Sequence, residues 1–481
     1  MSTFEAVIGL EVHVELLTAT KLFCGCSTAF GATPNTQVCP FCLGLPGGGT
    51  PVLNKRAVEY ALKTALALNC QISPEITFDR KNYFYADLPK GYQTTQHFQP
   101  LGKKGYLTIN IKEETKRIGI HQVHIEEDAG KMVHMGDILS TPFSRVDFNR
   151  ASVPLVEIVS EPDMHTPEEA RLFLQKLRNT LLYIGVSDCK MEEGSLRCDA
   201  NISLRPLGSK GLGVKTELKN MNSFRAVYRG IEHEIERQTR ILQEGGEVTP
   251  QTRHWDEETG VTKAMRDKLV AESYRYFPDP TLPPLKISEE WQMEIRSSIP
   301  ELPDSRYTRF IQDYNLPSYD ADVLTASREL GDYYERALDT YREPKNLSNW
   351  IMSELLGLLN THNMDIVDCK VKPHDLGNLL KLIDEGTISG RIAKTVFEEM
   401  FATGKKPEAI IKKKGLTQIS DEGTLLKIVE EILADNPGSV EDYHSGKDRA
   451  LGFLVGQVMK KTKGQANPQM VNELLREKLK K

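Results

Sequence analysis

A chain of 481 residues is too long for one ordinary core, so about two to four domains are expected. With 39% hydrophobic and 27% charged residues, and no apolar run near the roughly 20 residues that span a bilayer, the composition excludes a helical membrane protein. A formal net charge of −6 argues against a strongly basic nucleic-acid binder, and the N-terminus lacks the basic and apolar regions of a secretory signal, so a cytoplasmic setting is expected.

The first element is a strand. In Ile8–Leu16, Leu10, Val12, Val14 and Leu16 alternate with Glu11, His13 and Glu15, the period-2 pattern of a strand with one apolar and one polar face. Next come Cys24-x-Cys26 and Cys39-Pro-Phe-Cys42, four thiols within nineteen residues, while the other four cysteines are dispersed. In a reducing cytoplasm such a group reads as metal ligands rather than disulfides, and four thiolates predict a closed, structural zinc site that pins the loop after the first strand. A helix follows over Asn54–Leu68. In Phe78–Gln93, aromatic residues stand beside Arg80, Lys81 and Lys90, a mixture suited to stacking on unpaired bases and contacting phosphates.

A second helix is predicted over Pro167–Ile184 and a third over Ser223–Glu244, with Ser223 as its N-cap and Gly245-Gly246 as its stop. Between them, Leu196, Cys198, Ala200, Ile202 and Leu204 oppose Arg197, Asp199, Asn201, Ser203 and Arg205. In Val214–Lys219, Val214, Thr216 and Leu218 oppose Lys215, Glu217 and Lys219. Any one such strand suits the solvated face of an antiparallel sheet; joined, the three would carry acids and bases for a polyanion and a metal. Glu126, Glu127, Asp128, Glu192 and Glu193 extend the pool of acids that hard cations prefer.

Four prolines within Phe277–Pro284 predict a domain boundary. Beyond it, helical spacing covers Asp304–Tyr314, Asp320–Tyr341, Asn346–Asn360, Lys372–Glu385 and Ser389–Thr403, then a last helical stretch with a turn at Asn436-Pro-Gly438. The resulting fold class is α+β: a large mixed α/β cradle with a mainly antiparallel sheet over residues 1–290, a small helical domain over 291–405, and a helical tail over 406–481. Residues 401–481 hold 15 Lys/Arg against 11 Asp/Glu, so a modestly basic tail follows an acidic body.

The segments VIGLEVHVEL, FDRKNYFY, DLPKGYQ, HIEEDAGK, DFNRASVPLVEIVSEPDM and MEEGSLRCDANISLRP occur in this order within the first 206 residues, followed by ELKNMNSFRAVYRGIEHEIERQ and YRYFPDPTLPPL. Together they resemble the GatB family, the B subunits of aspartyl/glutamyl-tRNA amidotransferases. Ala86 and the turn Gly47-Gly-Gly-Thr50 depart from the family pattern, both outside the charged positions. The resemblance implies a YqeY-like tail and a kinase-like activity. ATP would phosphorylate the side-chain carboxylate of misacylated Asp-tRNA(Asn) or Glu-tRNA(Gln), and ammonia would convert it to the amide. It further implies Mg²⁺ among Glu11, His13, Glu127 and Glu217, and a heterotrimer completed by the A subunit, an amidase, and the small C subunit. Arg80, Lys81, Lys90, Arg197, Asp199, Asn201 and Lys215 are then the candidates for holding ATP and the aminoacyl end.

Missing motifs agree with this division of labour. The chain has no G-x-x-x-x-G-K-[ST] phosphate loop, no G-x-G-x-x-G after a strand and no class I synthetase signature. No G-x-S-x-G elbow or Cys–His nucleophile pair is evident, so ammonia is expected from a partner. The rival expectation is a non-catalytic, zinc-containing tRNA-binding scaffold, which would release no phosphate from ATP.

Overall fold

A computed structural model describes residues 3–111, 114–134, 143–265, 274–416, 422–447, 449–462 and 465–480. Two compact units divide at Leu302/Pro303. The division expected near residue 290 falls twelve residues further on, because Ile295 is buried in the core of the first unit and Trp291, Ile299 and Leu302 pack against it.

The first unit is built on a nine-stranded sheet. Its order is Val261–Ala264, Gln251–Asp256, Thr216–Lys219, Leu196–Pro206, Phe4–Glu15, Pro154–Ser160, Glu114–Glu127, Gly102–Ile111 and Gln71–Ile72. Every neighbouring pair is antiparallel except Thr216–Lys219 beside Gln251–Asp256. The expected alternation holds along the first strand, where Leu10, Val12 and Val14 are buried and Glu11, His13 and Glu15 are half-buried. It holds on Leu196–Pro206 as well, except that Ser203 is also buried. It fails at Val214, which is exposed; the strand begins at Thr216, and Lys215 lies before it.

Helices α1 (Lys55–Ala67), α2 (Pro167–Ile184) and α3 (Phe224–Gln243) contribute to the apolar core that the sheet's apolar side chains join. Their ends follow local chemistry. The side chains of Asn54, Thr166 and Ser223 accept hydrogen bonds from first-turn amides, Pro167 opens α2, and Gly185 closes it at φ 67°. Phe173, Leu174, Leu177 and Leu181 of α2 are fully buried; removing one such side chain typically costs about 2–5 kcal/mol.

The second unit is helical, with one apolar cluster drawn from Phe310 to Ile411 and another from Leu425 to Leu479. The single helix expected over Asp320–Tyr341 is two, Ser318–Leu324 and Arg328–Leu338, because Ser327 accepts a hydrogen bond from the Leu330 amide and starts a new helix. The helix expected over Asn346–Asn360 passes through a π-turn at Ile351–Leu355. Asn436-Pro-Gly438 opens the helix Pro437–His444. Among the described residues no helix is long and apolar enough to cross a membrane.

One close approach in the first unit is tested by substitution. A Cβ on Gly105 would lie 2.4 Å from Cys70 Sγ and 2.6 Å from the Leu68 carbonyl oxygen, both in the turn that follows α1. Gly105→Ala is expected to destabilise by about 1–3 kcal/mol, read as a lower urea midpoint at unchanged m-value. An unchanged midpoint would mean that this turn yields freely.

Candidate active site on the polar face of the sheet

Opposed residues of an antiparallel pair share a face, so the register fixes which polar groups meet. His13 stands opposite Arg197 on one side and Glu157 on the other, and Glu157 stands opposite His124. Glu11 stands opposite Asp199, and Asn201 opposite Glu217. Six adjacent strands, from Gln251–Asp256 to Glu114–Glu127, thus contribute to one polar face, on which Thr252 lies opposite Glu217.

The tightest group is His13, Glu126 and Glu157, whose ligand atoms lie within 4.8 Å of one another. His13 Nδ1 is 2.9 Å from Glu126 Oε1 and 3.9 Å from Glu157 Oε2, and His124 Nε2 is 3.0 Å from Glu157 Oε2. Burial alone would lower the His13 pKa; Glu157 and Glu126 outweigh it and push it up to about 9. Burial raises the Glu157 carboxyl, and His124 and His13 outweigh it, holding it well below the usual carboxylate range. Two carboxylates and one imidazole at these separations fit a divalent cation that keeps several waters.

The flanking charges are arranged in pairs. Lys219 Nζ reaches Asp199 Oδ2 at 2.5 Å and Glu217 Oε1 at 2.8 Å, and Glu217 also accepts from Thr252 Oγ1 at 2.9 Å. Arg197 donates to Asp128 at 2.8 Å, and Arg150 Nε lies 3.3 Å from the same oxygen. Glu11 accepts from Asn201 Nδ2 at 2.8 Å; burial, then the charge of Glu157, raises its pKa. Arg197 Nε and Asn201 Oδ1 are buried there without a hydrogen-bond partner, a donor and an acceptor available to a substrate. Lys81 faces Glu126 and Glu157; burial opposes its charge, and they push its pKa up.

Not every expected residue joins this group. Glu127 follows Glu126 on its strand and so has the opposite phase; its carboxylate is held by Lys90 Nζ, the Thr94 amide at 2.8 Å and Ser152 Oγ. Arg80 forms a two-pronged pair with Asp279 at 2.7 and 3.3 Å. Lys215 is exposed beside the strand, and Lys219 takes the position expected for it. Glu192 and Glu193 are exposed in a turn. Sequence reading missed Glu157 and His124; the only signal was one acid inside the apolar run Leu155-Val-Glu-Ile-Val159.

The sulfurs of Cys24, Cys26, Cys39 and Cys42 also converge within 4.8 Å, a group that can hold a metal ion. A hydrogen bond from the Cys24 thiol, with help from the Cys39 amide and the Lys21 ammonium 3.6 Å away, brings the Cys42 thiol down to about 5 against its burial. That leaves a stabilised thiolate, the form a metal binds.

The charge on His13 sets a pH test. Its folded pKa lies above its ordinary value of 6.5, so with divalent cations chelated its contribution to stability is full below about pH 6.5 and lost as pH rises through about 9. His13→Gln is expected to flatten the stability–pH curve between those limits; an unaltered slope would show that His13 is neutral in the folded protein.

Comparison with known proteins places the whole chain in a family. The family pattern described as "GatB/GatE catalytic domain" matches residues 6–293, and that described as "GatB domain" matches residues 332–479. The B subunit of an aspartyl/glutamyl-tRNA(Asn/Gln) amidotransferase from Carboxydothermus hydrogenoformans is 59% identical over 481 residues, covering 100% of both chains. Proteins of the same name from Caldanaerobacter subterraneus and Moorella thermoacetica are 57% and 58% identical, each covering 99% of this chain and 100% of the relative. On this coverage and identity, the chain belongs to the GatB family, the B subunits of aspartyl/glutamyl-tRNA amidotransferases.

Proposed function

We propose that the chain is the ATP-using, tRNA-binding subunit of an amidotransferase acting on misacylated Asp-tRNA(Asn) or Glu-tRNA(Gln). It works in the cytoplasm beside an amidase, the A subunit, and the small C subunit. The observation that carries this reading is the convergence of His13, Glu126 and Glu157 on a polar face that also holds Glu11, Asp199, Asn201, Glu217 and Lys219. The names of the full-length relatives point the same way.

In the first step a side-chain carboxylate oxygen of the aminoacyl group attacks the γ-phosphorus of ATP, the bond to the bridging oxygen breaks, and ADP leaves. Ammonia nitrogen then attacks the carbonyl carbon of the acyl phosphate; phosphate leaves with the bonding pair, and a proton is lost from nitrogen. The protein forms no covalent bond to substrate, so positioning and charge carry the catalysis. His13, Glu126 and Glu157 would hold Mg²⁺, which would neutralise charge on the transferring phosphoryl group, and Glu11 and Glu217 add negative charge to the same polar face. Lys81, Arg197 and Lys219 present cations toward the phosphate oxygens, and the buried Arg197 Nε and Asn201 Oδ1 orient the aminoacyl end. The basic tail adds contacts to tRNA phosphates.

Orthophosphate release from ATP, measured in the whole complex with misacylated tRNA, tests the reading. Glu157→Gln and Glu217→Gln keep shape and remove charge; each is expected to slow release on the order of 100-fold or more, with glutamine hydrolysis by the partner intact. Release near the normal rate in both variants would return the chain to the scaffold reading.

Zinc is the ion we assign to the four cysteines, since a closed tetrahedral sulfur site suits it. Purified protein is expected to contain about one equivalent. Cys39→Ser should lower metal content and melting temperature together. A fall in neither, or well under half an equivalent in the parent protein, rules the zinc out.

A further inference from the structure

A row of aromatic side chains lies beside the polar face, and neither the metal group nor the phosphoryl step uses it. It is assembled where the short strand Asp79–Asn82 pairs with Tyr92–Thr95 on one side and Arg275–Pro278 on the other, joining segments almost 200 residues apart. Tyr83 lies 5.2 Å from Tyr274, centroid to centroid, and Tyr274 lies 6.4 Å from Tyr276. Tyr276 stacks on His97 at 4.0 Å with an interplanar angle of 13°, and His97 meets Phe98 edge-on at 4.9 Å. Three of the five rings are open to solvent, Tyr274 at 40% and Phe98 at 52% exposure with His97 exposed too, while Tyr83 and Tyr276 are half-buried. The Lys81 ammonium lies 4.8 Å from the Tyr274 ring centre and 5.8 Å from that of Tyr83. Gln96, the residue before His97, accepts a hydrogen bond from the Ile125 amide at 2.9 Å, and Ile125 precedes Glu126 on its strand, so the row adjoins the group assigned to the reaction.

We propose that Tyr83, Tyr274, Tyr276, His97 and Phe98 form a stacking platform for the unpaired 3′-terminal nucleotides of the tRNA. This inference rests on the function proposed above and adds the place where the end of the acceptor strand lies. Exposed aromatic rings beside cationic groups are how proteins hold single strands without reading their sequence, because every base offers a π face. Five rings in succession extend further than one base covers, which suits a run of nucleotides better than the lone adenine of ATP. Arg275, exposed on the central segment of the row, supplies a charge for the accompanying phosphates. A terminal base on the Tyr83–Tyr274 end places its attached aminoacyl group toward Lys81, whose ammonium lies over those two rings.

Two measurements on the whole complex test the platform. The first uses the unaltered protein and tRNA whose terminal adenine is replaced by 2-aminopurine. Stacking on tyrosine is expected to quench its fluorescence severalfold on binding; binding without quenching overturns the proposal even if every variant misfolds. The second measures affinity for intact tRNA and for tRNA trimmed of its last two nucleotides. Trimming is expected to cost the parent protein about tenfold, whereas Tyr274→Leu/Tyr276→Leu should bind both forms at the trimmed level, and Tyr274→Phe/Tyr276→Phe should restore the difference. A Leu variant that still discriminates, or one whose only change is a higher KM for ATP, overturns the proposal; the latter would seat the adenine of ATP there. Phosphate release that persists while the platform fails would leave the proposed function standing and remove this inference alone.

Discussion

The pairing of Phe4–Glu15 between Pro154–Ser160 and Leu196–Pro206 is the constraint on which the rest of the molecule depends. Side chains along a strand alternate with a period of two, so a slip of one residue would turn Leu10, Val12 and Val14 outward and drive Glu11, His13 and Glu15 into the core. The cost of that inversion fixes the register. Once it is fixed, His13 has only Arg197 and Glu157 as cross-strand neighbours, and Glu11 has Asp199. The apolar half of the pattern thereby determines the chemistry of the polar half.

That polar half balances itself by charge. Asp199 and Glu217 share Lys219, Asp128 has Arg197 and Arg150, and Glu157 has two imidazoles. Glu11 has an amide, Asn201, as its close partner, and its raised pKa records burial, then the charge of Glu157. A half-buried carboxylate so placed gains from any cation that enters. The face is therefore arranged to exchange internal ion pairs for contacts with a charged ligand.

Local chemistry made much of this legible in advance. The caps at Asn54, Thr166 and Ser223 and the close of α2 at Gly185 belong to their own segments, and those helices fall where the sequence places them. The four-cysteine group was equally local. What sequence could not supply was pairing over distance: Glu157 and His124 join the polar cluster only because their strands lie next to the first one and next to each other. Glu126 and Glu127 are adjacent in sequence, so only the register decides which faces His13, and it favours Glu126. Lys215 and Lys219 share a phase, but the strand starts between them. The burial of Ile295, beyond the proline-rich segment, depends on a core built from residues far upstream.

The cysteine loop shows how a locally legible motif gains a distant role. Gly44 has φ +65°, and a Cβ there would lie 2.9 Å from Lys90 Cα and from the Pro89 carbonyl oxygen; a Cβ on Gly48 would lie 2.7 Å from the Pro40 oxygen. Gly44 lets the turn carrying Cys39 and Cys42 lie against the turn carrying Lys90, and Gly48 lets the same loop fold back on Pro40. The Lys90 ammonium sits 5.5 Å from the Phe41 ring centre and 4.8 Å from that of Tyr92, and it meets Glu127 beneath them. Glu127 in turn is the residue after Glu126, so the two ends of one short chain segment are held by different means: Glu126 by His13 on one face of the sheet, Glu127 by Lys90 and Ser152 on the other. An ion held by the four cysteines would also fix the backbone of Lys90, and through the Glu127 carboxylate it would restrain the strand end that presents Glu126. It would thus act on the geometry of the polar face by packing alone, without contributing a ligand to that face.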